Sequence, residues 1–158
     1  MSKPPSPPQN RRPAIPAPGE GKRGEQGHIG YLLQQAAAAH RLRMERALSD
    51  LRVTPPQFAI LTMIAAYPGI SNADLAKLTS LTPQTITVIV GNLEKAGSIA
   101  RQPSASHGRI LENTITTGGQ SLLADCRQRV AVVEAELLAD LPANDERVLR
   151  RWLVRTTL

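Results

Sequence analysis

Within about thirty residues the chain builds the same kind of helix start three times, at Thr54, Ser71 and Thr82. Each hydroxyl suits the N-cap, where it accepts a hydrogen bond from a backbone N–H two or three residues on. Proline follows Thr54 and Thr82 at the first helical position, where its missing N–H costs nothing. Gln57 and Asp74, at the third helical position, can reach back to their caps as in a capping box. The pairs Val53/Phe58, Ile70/Leu75 and Leu81/Ile86 have the spacing of a hydrophobic staple across each start. Starts this close together mean three short helices, expected at about 55–67, 72–78 and 83–96.

The flanks complete the outline. Residues 1–27 hold seven of the thirteen prolines and four glycines, too few large apolar groups to offset the entropy of ordering, and read as a disordered tail. Its five Lys/Arg against two Glu suit a solvated tail more than a DNA contact. The stretch "HIGYLLQQAAAAHRLRMERALSDL" has strong helix formers and no Gly or Pro after Gly30, so a long helix is expected at about 28–49. After the third short helix, Gly97 suits the left-handed C′ position. "SIARQPSASHGRILENTIT" then reads as two short strands joined by a turn. Thr116 caps a second long helix at about 117–139, with Leu122, Leu123, Val130, Val133 and Leu137 at helical spacing. Pro142 breaks it, and a closing helix at about 144–156 carries Val148, Leu149, Trp152 and Leu153 on one side.

Two short helices, a tight turn between them and a hairpin directly after make a winged helix-turn-helix: a mainly α fold with a small β-hairpin wing. The second helix of the pair must bury Ile86, Ile89, Val90 and Leu93. Pro83, Gln84, Thr85, Thr87, Val88 and Gly91 then face outward, a surface low enough to approach base edges in a major groove. Gln84 can bond a base edge, adenine above all, while Thr87 and Val88 can touch thymine methyls or a base acceptor. The free N–H groups near Thr82 favour phosphate. Lys77, Lys95, Arg101 and Arg109 supply charge at the borders, and Ser71 and Asn72, opening the preceding helix, complete the candidate set. The balance of 19 Lys/Arg against 13 Asp/Glu agrees with a polyanionic partner, double-stranded DNA ahead of an acidic membrane.

From the second helix through the wing the residues resemble the MarR (multiple antibiotic resistance regulator) family of winged-helix transcription factors, and the resemblance covers about 28–158. "LTPQTITVIVGNLEKAGSIAR" resembles the family's recognition helix, its Leu-Glu-Lys-x-Gly end and the Arg that opens the wing. "ITTGG" resembles the Leu-Thr-x-x-Gly that starts the long dimer helix. One departure stands out: the family's wing usually reads Asp-x-Arg, and here it is His107-Gly108-Arg109. Arg109 carries over as the minor-groove contact. His107 replaces the carboxylate that would brace it, and Gly108 removes a second cation, so either the wing is looser or His107 itself meets phosphate. An unperturbed histidine titrates at about 6.5, so His107 can add pH dependence.

The resemblance implies a homodimeric regulator, more commonly a repressor, with a DNA-binding lobe at about 52–116 and dimerisation helices at about 28–49 and 117–157. Val148, Leu149, Trp152 and Leu153 are the expected interface, with Trp152 an anchor rather than an exposed ligand platform. It also implies a pocket for a small effector such as an aromatic acid. His28, Tyr31, Arg43, Met63 and Tyr67 are candidates, each with an ordinary alternative as core or solvated helix residue. An effector that prefers the state with wrongly spaced recognition helices lowers DNA affinity by that preference. Cys126, the single cysteine, reads as buried and inert rather than an oxidant sensor, and rules out an internal disulfide framework. Histidines 28, 40 and 107 lack metal-ligand spacing, no phosphate-binding glycine loop appears, and no catalytic constellation stands out. No enzyme activity, cofactor or metal is expected. With neither a signal peptide nor a bilayer-length apolar run, a cytoplasmic location is expected. The competing reading is an architectural or protein-interaction winged helix without a specific operator.

Overall fold

The computed structural model describes residues 14–104, 108 and 110–157. The chain forms two compact units, one up to His40 and the other from Arg41 onward. Helix α1, Ile29–Leu48, runs through that division, close to the expected limits. In the first unit, the described part of the expected tail is a string of turns with one 3-10 turn at Gly21–Arg23. Arg23 Nη1 donates to the Pro16 carbonyl at 2.8 Å there.

The second unit opens on the three capped helices. Helix α2 spans Pro55–Ala66, and Thr54 and Gln57 form a full capping box. The Gln57 N–H donates to Thr54 Oγ1 at 3.4 Å, and the Thr54 N–H to Gln57 Oε1 at 2.9 Å. Helix α3 spans Asn72–Thr79 and α4 spans Pro83–Lys95, capped by Ser71 and Thr82 as expected. One detail differs. Asp74 does not reach back to the cap backbone; the Ser71 hydroxyl donates to its carboxylate at 2.7 Å while accepting from the Asp74 N–H at 3.2 Å. Between α3 and α4, Ser80 takes a left-handed conformation that ends one helix and aims the next.

Helix α4 closes on Gly97, with φ of 72°. The Gly97 N–H bonds the Glu94 carbonyl and the Ser98 N–H the Leu93 carbonyl, which together satisfy two of the helix's last acceptors as in a Schellman motif. Among the described residues the sheet holds three strands rather than two: β1 at Ile70–Ser71, β2 at Ile99–Pro103 and β3 at Leu111–Ile115. All pairs are antiparallel, and β3 lies between the other two. The register sets Ile70 opposite Asn113 and Arg101 opposite Asn113 on the other side.

Helix α5, Thr117–Leu138, starts under Thr116, whose hydroxyl accepts from the Gly119 N–H at 3.0 Å and donates to the Gly97 carbonyl at 2.7 Å. Gly119 is buried against the Ser98 carbonyl, and a Cβ there would collide with it. Helix α6, Ala143–Arg155, buries none of its residues.

One core cluster joins α2, α3 and α4 through Ile60, Leu61, Ile64, Leu75, Ile86 and Val90, with Ile99 and Leu123 closing it. A second gathers Met44, Leu48, Val53, Cys126 and Val133. Both members of each staple pair contribute to these clusters, so the residues that enter each helix also anchor it. Among the described residues no helix is long and apolar enough to cross a membrane.

Candidate nucleic-acid interface

Helix α4 divides as its periodicity requires. Ile86, Ile89, Val90 and Leu93 are buried, while Pro83, Gln84, Thr85, Thr87 and Val88 are exposed. Its hydroxyls are largely spent on the helix itself. Thr82 Oγ1 accepts from the Thr85 N–H at 3.2 Å and shares a hydrogen bond of 2.9 Å with the Thr85 hydroxyl. The Thr87 hydroxyl donates to the Pro83 carbonyl at 2.9 Å, which leaves its methyl as the group offered outward. Val88 is 62% exposed, so the centre of this face is apolar. Along the first two turns, among the described residues, what remains for hydrogen bonding outward is the exposed Gln84 amide. The geometry is that of a thymine-methyl and base-edge reader, not of a charged phosphate clamp.

The cations at its borders are less free than their charges suggest. Lys77 Nζ lies 3.1 Å from Asp74 Oδ1. The Ser71 hydroxyl, then Lys77, hold the Asp74 carboxyl below its ordinary range. Arg101 is half-buried on β2 and donates through Nε, at 2.9 Å, and through Nη2 to the same oxygen of Glu94. That bond lowers the Glu94 pKa and raises that of Arg101. Arg101 therefore ties the wing's first strand to the last turn of α4. Lys95 is exposed, with no ion pair among the described residues. His107 and Arg109 lie outside the described residues; Gly108 between them is exposed.

Ser71 and Asn72 open α3 on the edge of the sheet. Ser71 is occupied as the cap. The Asn72 amide oxygen accepts from Asn113 Nδ2 at 3.0 Å, and the same nitrogen donates to the Ile70 carbonyl at 2.8 Å. Asn113 is completely buried.

Residues 53–110 match the sequence model of the MarR family. Over 125 residues the chain is 39% identical to the HTH-type transcriptional repressor Rv2887 of Mycobacterium tuberculosis (strain ATCC 25618 / H37Rv), covering 79% of this chain and 90% of that protein. The chain belongs to the MarR family. Two solved structures of the Mycobacterium tuberculosis MarR family protein Rv2887 superpose on it with a TM-score of 0.67. The complex with p-aminosalicylic acid is 36% identical and covers 84% of this chain and all of that one, 100%. The complex with DNA is 34% identical and covers 82% and 98%.

Within this MarR-family fold the other sequence-derived residues fall in several places. His28 and Tyr31 are exposed in the first unit. In the second, Arg43 is exposed, Met63 packs beside the first core cluster, and Tyr67 is exposed just past the end of α2. Tyr67 edges a shallow groove of about 490 Å³ with Pro68, Ile70, Asp74, Lys77 and Leu78, which Met63 does not line. Val148, Leu149 and Leu153 are exposed on α6 and Trp152 is half-buried. Cys126 is buried, and desolvation pushes its thiol pKa up, as an unreactive thiol requires. Sequence reasoning missed Glu94 and Asn113. Glu94 had a signal, a carboxylate one helical end away from Arg101. Asn113 had only its polarity at an inward strand position.

Proposed function

We propose that this MarR-family chain is a sequence-specific double-stranded DNA-binding transcriptional regulator, a homodimeric repressor released from a near-palindromic operator by a small aromatic acid. The carrying observation is the exposed face of α4, with the exposed Gln84 amide among methyl groups at Thr87 and Val88. A face of that chemistry discriminates bases by direct readout and contributes little to nonspecific attraction. Its similarity to a repressor solved with DNA and with p-aminosalicylic acid supports both arms of the reading. On this reading Lys95, Lys77 and Arg109 meet backbone or minor groove, His107 meets phosphate, and Arg101 acts chiefly by holding the wing. Two such faces on a two-fold dimer, one helical turn apart, read the two halves of the operator. For the acid, the candidates taken one at a time are His28, Tyr31, Arg43, Met63 and Tyr67. A regulator of this kind has no reaction to catalyse and works in the cytoplasm, where the DNA is.

Selection of bound duplexes from a random pool, followed by anisotropy at fixed salt, tests the reading. A near-palindrome bound about 10³-fold or more above random duplex is expected, with that affinity falling as salicylic or p-aminosalicylic acid is added. Equal affinity for every duplex points instead to an architectural protein.

A further inference from the structure

Asn113 sits on β3 two residues before Ile115, whose side chain packs on the core, yet it is a fully buried amide. Its Oδ1 has no hydrogen-bond partner among the described residues. Burying an unpaired amide oxygen is destabilising, and an apolar side chain would avoid it. What the amide does accomplish is directional. The Ile70 carbonyl can only accept, so the Asn113 atom 2.8 Å from it must be the NH₂ nitrogen. That nitrogen also faces Asn72 at 3.0 Å, so the Asn72 atom turned toward it must be the carbonyl oxygen. The half-buried Asn72 is thereby left with its NH₂ as the end without a partner among the described residues. Asn72 is the first residue of α3, the leading helix of the helix-turn-helix, and in this motif that helix crosses the DNA backbone. The one cation on α3, Lys77, also pairs with Asp74, at 3.1 Å.

We propose that Asn113 is a positioning residue: through the chain Ile70 carbonyl, Asn113 amide, Asn72 amide, it fixes Asn72 as a hydrogen-bond donor to one phosphate in each operator half-site. The proposal rests on the DNA-binding reading and names a residue that never touches DNA. An Asn72 free to turn would present its oxygen to the phosphate as readily as its nitrogen, and half of its orientations would repel.

The test uses the full chain and its selected operator, with thermal melts confirming each fold. Asn72→Ala should weaken binding about tenfold, as loss of a charge-assisted hydrogen bond would; Asn113→Leu, which leaves Asn72 in place but halves its productive orientations, should weaken it about twofold per half-site. The double variant should be no weaker than Asn72→Ala alone, because Asn113 acts only through Asn72. Replacing operator phosphates one at a time by methylphosphonate should reveal one per half-site whose neutralisation weakens the wild type most, the Asn113 variant less and Asn72→Ala not at all. Asn113→Thr keeps a sheet-compatible side chain too short to hold both partners, and replaces Asn113→Leu if the latter unfolds. Wild-type affinity in the folded Asn113 variant, or losses that multiply in the double variant, overturns the positioning role alone. A wild-type chain that selects no duplex overturns the regulator reading itself, and this role with it.

Discussion

Glu94 and Arg101 illustrate how a side chain read as a ligand contact can also carry structure. Arg101 reads from the sequence as a phosphate contact, yet its guanidinium is bound through two nitrogens to one carboxylate oxygen at the end of α4. Because that bond lowers the Glu94 pKa in the folded state, the stability it contributes is complete above the ordinary carboxylate range. It is lost as pH falls through the lowered value. Glu94→Gln should therefore flatten the acid side of the melting-temperature profile relative to wild type, measured by thermal melts from neutral pH downward. At the same scale, Gln84→Ala should relax preference at one base pair per half-site by about 1–3 kcal/mol. Arg109→Ala should instead weaken all sequences alike and lower the salt slope by about one per contact. Binding-site selection repeated with each variant, and affinity against salt, separates the two; equal losses on every sequence for both would remove the base-reading role from Gln84.

At the scale of elements, the helix starts were readable and the sheet edge was not. The N-caps at Thr54, Ser71, Thr82 and Thr116 all accept the backbone N–H expected of them, because a cap is decided within four residues. Strand β1 escapes such reading: two residues have no periodicity, and Ile70–Ser71 becomes a strand only because β3 passes beside it. The same dependence on distant chain hides the Asn113 amide, whose two acceptors lie more than forty residues earlier. Thr82→Ala should cost about 0.5–2 kcal/mol in chemical unfolding and weaken operator binding further, since it loosens the first turn of the reading helix. Gly119→Ala should be far more damaging. Its Cβ would meet the Ser98 backbone, so α5 must move away from the start of β2; loss of cooperative unfolding is the expected readout.

For the whole molecule, the apolar surface left open on α6 is what the dimer reading must account for. Val148, Leu149, Leu153 and Val154 are exposed along a helix with no buried residue. Leu153→Glu should shift the protein from dimer toward monomer in sedimentation and weaken operator binding, because one recognition helix alone loses the second half-site. Unchanged sedimentation would take α6 out of the interface.

The helix boundaries, the inward and outward faces of α4 and the winged-helix class are all legible in the chain's own order of residues, since they follow from caps, turn chemistry and periodicity over a few turns. Which polar groups have partners is settled by the packing of distant elements. It engages Lys77, Arg101 and the threonine hydroxyls in bonds with neighbours, and among the described residues it leaves Gln84, Lys95 and one end of Asn72 without them. Whether a donor is available depends on what the fold brings within about 3 Å of it, and that distance is set by packing among helices and strands far apart in the chain.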